Sequence, residues 1–228
     1  MKKKGLDVKI WMFDHNFNGV DRVFWSLQND QALVDSVDGV AFHYYEGEPE
    51  QTLKITENFP TLELHFTEGG PRLLENYATD WCKWSIMISR SLCCGYRSFT
   101  GWNLLLNETG GPNIGPFYCG GLITLNRVTD TLEYSGQYKA FSQVAPYLRA
   151  ESKIYPLIEA EKSANGGLFG FPHSIKKRIE GFAIDNGDGK LVVVLINPNN
   201  DKFQIEFSWR NERWYVELMP DSVSTVIV

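Results

Sequence analysis

Four times in its first 103 residues the chain sets a short apolar run before a polar or aromatic cluster, and stretches with helical spacing separate these units. The apolar runs lie at 8–13, 40–42, 63–67 and 97–102, and helical patterns cover 20–28, 31–37, 49–58 and 77–94. Short apolar runs bounded by turn-forming residues read as buried strands. Strands that alternate with helices imply a parallel sheet, because parallel neighbours need a crossover long enough to hold a helix. Such crossovers share one hand, so the clusters that follow the strands gather at one end of the sheet. Those clusters are Asp14-His15-Asn16, His43-Tyr44-Tyr45, Glu68-Gly69-Gly70-Pro71 and Trp102-Asn103.

The third strand carries the clearest chemical signal. In TLELHFTEGGP, Leu62, Leu64 and Phe66 alternate with Glu63, His65 and Thr67, the period of a strand. The Gly-Gly-Pro that follows is a turn. Glu68 thus stands at the carboxyl end of a buried strand, which in an α/β barrel is the catalytic face. His65 and Glu63 precede it within the strand and are expected to be structural. Tyr44 should point away from its neighbours and pack. Trp11, Trp25, Trp81, Trp84, Trp209 and Trp214 are expected in packing roles, Glu46, Glu48 and Glu50 on a solvated loop edge, and Asn113 as a loop-shaping residue.

The character of the chain changes near residue 150. A helix is expected at 135–144, after a long Gly/Pro/Asn loop at 103–120. Residues 179–228 read as all-β, with strands at 181–185, 191–197, 203–209, 214–218 and 222–228. Asn186-Gly187-Asp188-Gly189 and Pro198-Asn199-Asn200-Asp201 read as hairpin turns, and 165–172 as a loop. The fold class is therefore α/β plus all-β: an α/β part over 1–150 and an antiparallel β-sandwich over 151–228. An eight-stranded barrel needs about 250 residues, so four strands amount to half of one. Half a barrel has an open edge and an uncovered interior, which is costly for a monomer.

Composition narrows the function. A net charge of −6 and a pI near 5.3 argue against nucleic acid as partner. No apolar run reaches the roughly 18 residues of a membrane span. Met1-Lys2-Lys3-Lys4 is basic, but no signal-peptide apolar region follows it, so the chain's localisation is left open. Cys82, Cys93, Cys94 and Cys119 lack metal-binding spacing and read as buried free thiols. No metal or organic cofactor is implied.

DGVAFHYYEG, LHFTEGG and FTGWNLLLNETGGPN, in this order and at these spacings, resemble the second half of a glycoside hydrolase family 30 enzyme. That family includes glucosylceramidases, β-glucosidases and β-1,6-glucanases. AFSQVAPYLRAESKIY, GDGKLVVVLINPNND and LMPDSVSTVIV resemble its C-terminal β-domain. The resemblance implies the second half of a (β/α)8 TIM barrel, strands five to eight, followed by a β-sandwich. It also implies hydrolysis of β-glycosidic bonds with retention of configuration, with a β-linked glucoside or glucan as substrate and glucosylceramide as one candidate. On this resemblance Glu68 matches the nucleophile, Asp14 a carboxylate that binds sugar hydroxyls, His43 and Tyr45 residues lining the substrate site, and Trp102 an aromatic contacting the sugar, with Asn103 beside it.

The chain departs from the family's pattern in one respect. The family's acid/base glutamate follows the fourth strand in an Asn-Glu-Pro context, and no Asn-Glu-Pro occurs here. Asn107-Glu108-Thr109 imitates it in a different loop. A missing general acid typically costs about 10²–10⁴-fold. The expectation is therefore a nucleophile-bearing portion of a retaining β-glycosidase whose remainder, including a strand ending in Asn-Glu-Pro, lies upstream. The alternatives are a non-catalytic carbohydrate-binding remnant, or a half-barrel that assembles with a separate N-terminal partner.

Overall fold

The computed structural model describes residues 7–113, 117–157 and 179–228; the loop expected at 165–172 lies outside them. The chain forms two compact units, one of residues 1–80 and 90–138, the other of 81–89 and 139–228.

The first unit is built on four strands: β1 (Trp11–Asn16), β2 (Gly39–His43), β3 (Glu63–Glu68) and β4 (Tyr96–Phe99). They lie side by side in chain order, and every neighbouring pair is parallel. Their connections carry α1 (Val20–Asn29), α2 (Gln31–Ser36), α3 (Leu53–Asn58) and α4 (Trp81–Cys93), as the alternation predicts. Asp30 caps α2 by accepting from Leu33 N, which ends α1 and starts the next helix within one residue. Pro49–Thr52 is a 3₁₀ turn leading into α3, with Pro at its first position.

One face of the sheet is aromatic. Phe17, Phe42 and Phe66 are fully buried, and Phe66 stacks on Phe99 at 3.8 Å. Each such ring contributes about 1.5–3 kcal/mol of burial energy. On the opposite face Trp11 stacks on His65 at 3.7 Å, and His65 Nδ1 lies 2.9 Å from Ser98 Oγ. His65 is buried within the strand. Burial lowers its pKa, partly opposed by the charge of Glu63.

The loop expected at 103–120 contains a strand, β5 (Leu105–Asn107). It pairs parallel to β6 (Ile123–Asn126), which pairs antiparallel to β7 (Thr131–Tyr134). Three residues bounded by turn formers are too few to show a period, so only the pairing reveals β5. Asn107 closes the Gly-rich turn after it, accepting from Thr109 N, Thr109 Oγ1 and Gly111 N. The expected 97–102 strand stops at Phe99. Trp25 is 66% exposed, so it is not a packing residue.

In the second unit, α5 (Gly136–Val144) ends in this unit and is followed by β8 (Lys153–Pro156), a strand the sequence did not announce. Strands β9 (Glu180–Asp185), β10 (Leu191–Asn197) and β13 (Ser222–Ile227) join it in an antiparallel sheet of order β13-β10-β9-β8. β11 (Phe203–Trp209) and β12 (Glu212–Leu218) form a separate ribbon. Ala183, Leu191, Val193 and Leu195 from the sheet and Leu218 from the ribbon form one apolar cluster, with Phe203, Ile205, Phe207 and Val216 packed against it. The turn at 186–189 joins β9 to β10 as a hairpin. Pro198–Asp201 does not make one, because β10 pairs with β9 and β13 and the chain leaves the sheet there. Asn197 holds that crossing by donating to Asp201 O and Met219 O.

Candidate active site

The ends of β1, β2 and β3 bring one row of side chains together. In the strand register Asn16 stands opposite His43, and His43 opposite Glu68. This row lies wholly within the first unit.

Two irregularities shape it. β1 bulges between Phe13 and His15, so Asp14 has no partner on β2, and Phe13 and Asp14 carry φ of 81° and 57°. β3 bulges between Phe66 and Glu68, so Thr67 has no partner either. A bulge turns a side chain out of the alternation. Asp14 is therefore inside β1 rather than after it, a correction to its expected place.

Glu68 Oε1 accepts from the Tyr45 hydroxyl at 3.0 Å, and Glu68 Oε2 faces His43 Nδ1 at 3.9 Å. His43 Nε2 lies 3.1 Å from Asp14 Oδ1, and the Thr67 hydroxyl donates to the same oxygen at 2.7 Å. An ionised carboxylate only accepts, so the proton of this pair sits on His43 Nε2. Burial raises the Asp14 pKa, but hydrogen bonds from Thr67 and His43 and the histidine charges outweigh it and leave it below 3.8. Burial, then the Glu68 charge, raises Tyr45 well above the usual phenol value, so it stays a donor. Tyr44, raised by burial to about 12, donates to Gly70 O at 3.4 Å beneath the turn.

The turn after Glu68 is held from three sides. Gly69 O accepts from Trp102 N at 2.9 Å and from the buried Gln137 Nε2 at 2.8 Å. A Cβ on Gly70 would overlap the Trp102 carbonyl oxygen, so only glycine fits. These contacts bring Trp102 beside the turn, three residues beyond β4 and 43% exposed. The Trp102-Asn103 peptide is cis. Asn103 accepts through its carbonyl from Leu122 N, and its Nδ2 is buried without a hydrogen-bond partner among the described residues.

Glu68, Tyr45, His43 and Asp14 therefore form one chain of contacts. Trp102 joins through the backbone, and among the described residues no hydrogen bond ties Asn103 to Glu68. Thr67 and Gln137 were missed in the sequence. Thr67 adjoins the glutamate, but a period of two faces it away. Gln137 is 68 positions downstream of the glycine it binds. Glu108 accepts from Arg127 N, Nε and Nη2, so it braces a loop. Asn113 reaches Phe117 O and Cys119 Sγ, a loop-shaping role. None of the four cysteines forms a disulfide; Cys82 and Cys94 are buried, Cys93 and Cys119 half-buried. No group of three metal-binding side chains occurs among the described residues. No described helix is long and apolar enough to cross a membrane.

No protein-family model matches the chain. It is 26% identical to endo-1,6-β-D-glucanase BGN16.3 of Trichoderma harzianum, across all of this chain and 44% of the glucanase. Its fold matches SrfJ of Salmonella typhimurium with a TM-score of 0.83 at 22% identity, over the whole chain and 49% of SrfJ. It also matches a GH30 endoxylanase of Clostridium papyrosolvens C71 with a TM-score of 0.67 at 16% identity, over 98% of this chain and 57% of the xylanase. The chain thus spans about half the length of these relatives. In its motifs, its relatives and its fold, the chain is glycoside hydrolase family 30-like.

Proposed function

We propose that this chain is the nucleophile-bearing part of a retaining β-glycosidase acting on β-linked glucosides or glucans. The observation that carries this is Glu68, at the end of a parallel strand, with Tyr45 donating to one oxygen and His43 facing the other. The glucanase named above is a sequence relative of the whole chain, which favours a β-glucan. Residues 1–150 are then the second half of a catalytic barrel, in keeping with four parallel strands in chain order, and 151–228 a β-sandwich around the shared apolar cluster.

In the first step a Glu68 oxygen attacks the anomeric carbon, and the bond to the leaving oxygen breaks as a glycosyl ester forms. Tyr45 holds the carboxylate in line. Asp14 accepts from sugar hydroxyls, His43 and Asn103 add polar contacts, and Trp102 offers its ring to the sugar's C–H face. Water then cleaves the ester. The general acid that protonates the leaving oxygen comes from outside these 228 residues, since no Asn-Glu-Pro is among them.

A leaving group that departs as a stable anion needs no acid, so the test is open to this chain by itself. Incubation with 2,4-dinitrophenyl 2-deoxy-2-fluoro-β-glucoside should add one fluoroglucosyl unit, found by mass spectrometry on the peptide holding Glu68. Glu68→Gln should stay unlabelled. No labelling of the wild-type chain, or equal labelling of both, overturns the reading. Binding of a β-glucoside without labelling would point to a carbohydrate-binding role instead.

A further inference from the structure

The two bulged positions meet. Asp14 is the unpaired residue of β1 and Thr67 that of β3, and both flank β2. Their side chains join across the end of β2, with the Thr67 hydroxyl 2.7 Å from Asp14 Oδ1 and 3.4 Å from Phe42 O. The same Asp14 oxygen lies 3.1 Å from His43 Nε2. Bulges are rare in parallel sheets. Two at the same level, each spending its extra residue on the same hydrogen bond, give that bond a structural cost beyond ordinary packing. Asp14 adds a left-handed backbone, φ 57°, which aspartate tolerates better than most residues.

We propose that Thr67 is a positioning residue: its hydroxyl fixes the Asp14 carboxylate against His43, so that Asp14 presents its free oxygen to the sugar in one orientation. Asp14 has most of its side chain in solvent, 66% exposed, and without a tether it would be free to rotate. Thr67 and His43 occupy one oxygen and leave the other for the ligand. The strand that delivers the nucleophile thus also delivers the group that holds the sugar-binding carboxylate. The sugar contact rests on the glycosidase reading above; the tether does not.

The groups facing Asp14 are Thr67, His43 and His15, and Glu68 lies on the far side of His43. The test uses the whole chain with carboxyl-¹³C aspartate, the Asp14 resonance being assigned by its loss in Asp14→Asn. In Thr67→Val, of nearly the same shape, the Asp14 titration midpoint should move upward, because one of the donors opposing burial is gone. Thr67→Ser keeps the hydroxyl and should titrate as wild type. Thr67→Ala serves if the valine variant loses its near-ultraviolet dichroism. An unmoved midpoint in Val and Ala, or a serine variant that moves with them, overturns the proposal. Chemical-shift titration with methyl β-glucoside forms the second arm, where Thr67→Val should weaken binding about tenfold and Thr67→Ser should not. A moved midpoint with unchanged binding keeps the tether and overturns the sugar role of Asp14.

Discussion

Glu108 shows how a charged side chain in a motif-like setting can serve the loop alone. Three donors of Arg127 reach its carboxylate, and these bonds hold its pKa at about 2, against an ordinary 4.5. A native value below the unfolded one contributes stability that is present above pH 4.5 and lost as the pH falls toward 2. Glu108→Gln should therefore be less stable than wild type at pH 7, and the gap should close by pH 2.5. Urea unfolding at both values checks this, and a gap that widens on acidification refutes it. The surface setting keeps the effect small. At this scale Glu68 stood out as a carboxylate at the end of an alternating strand, whereas Asp14, His43 and Tyr45 were singled out by the family resemblance of the segments that hold them. Thr67 was not legible, because the bulge that turns it toward Asp14 leaves no mark in the hydrophobic period.

Among the elements, the hairpin between β11 and β12 runs through Arg210 and Asn211, with φ of 49° and 70°. Two consecutive positive φ values belong to a type I′ turn, which favours Asn-Gly. Arginine there is strained, though its guanidinium lies 5.5 Å over the Trp209 ring. Arg210→Asn with Asn211→Gly should relieve about 1 kcal/mol of backbone cost and forfeit about 0.5 kcal/mol of stacking. The net result is a modest rise in the urea midpoint with an unchanged slope; a fall would show that the stacking dominates. The missing glycine also hides this turn in the sequence, while Pro198-Asn199-Asn200-Asp201 is richer in turn formers yet joins no hairpin. Turn chemistry marks where a chain bends and says nothing of which strands it joins.

Taken whole, the molecule carries a net charge of −6. Such a chain should pass a heparin column unretained at physiological salt and be least soluble near pH 5.3. Retention there would show a basic patch the net charge conceals. Strand–helix alternation determined a parallel sheet and so brought the residues that follow the strands to one end of it, while the side-by-side chain order came from the pairing itself, since crossovers of one hand permit other orders. The uninterrupted apolar run of β10 determined a strand buried along its whole length. Tertiary structure decided the rest. It set the paired bulges at Asp14 and Thr67, the reach of Gln137 to Gly69, the pairing of β5 with β6, and the switch of sheets after Asn197. Each joins residues through hydrogen bonds made only once distant strands lie side by side, and local spacing carries no record of that partner.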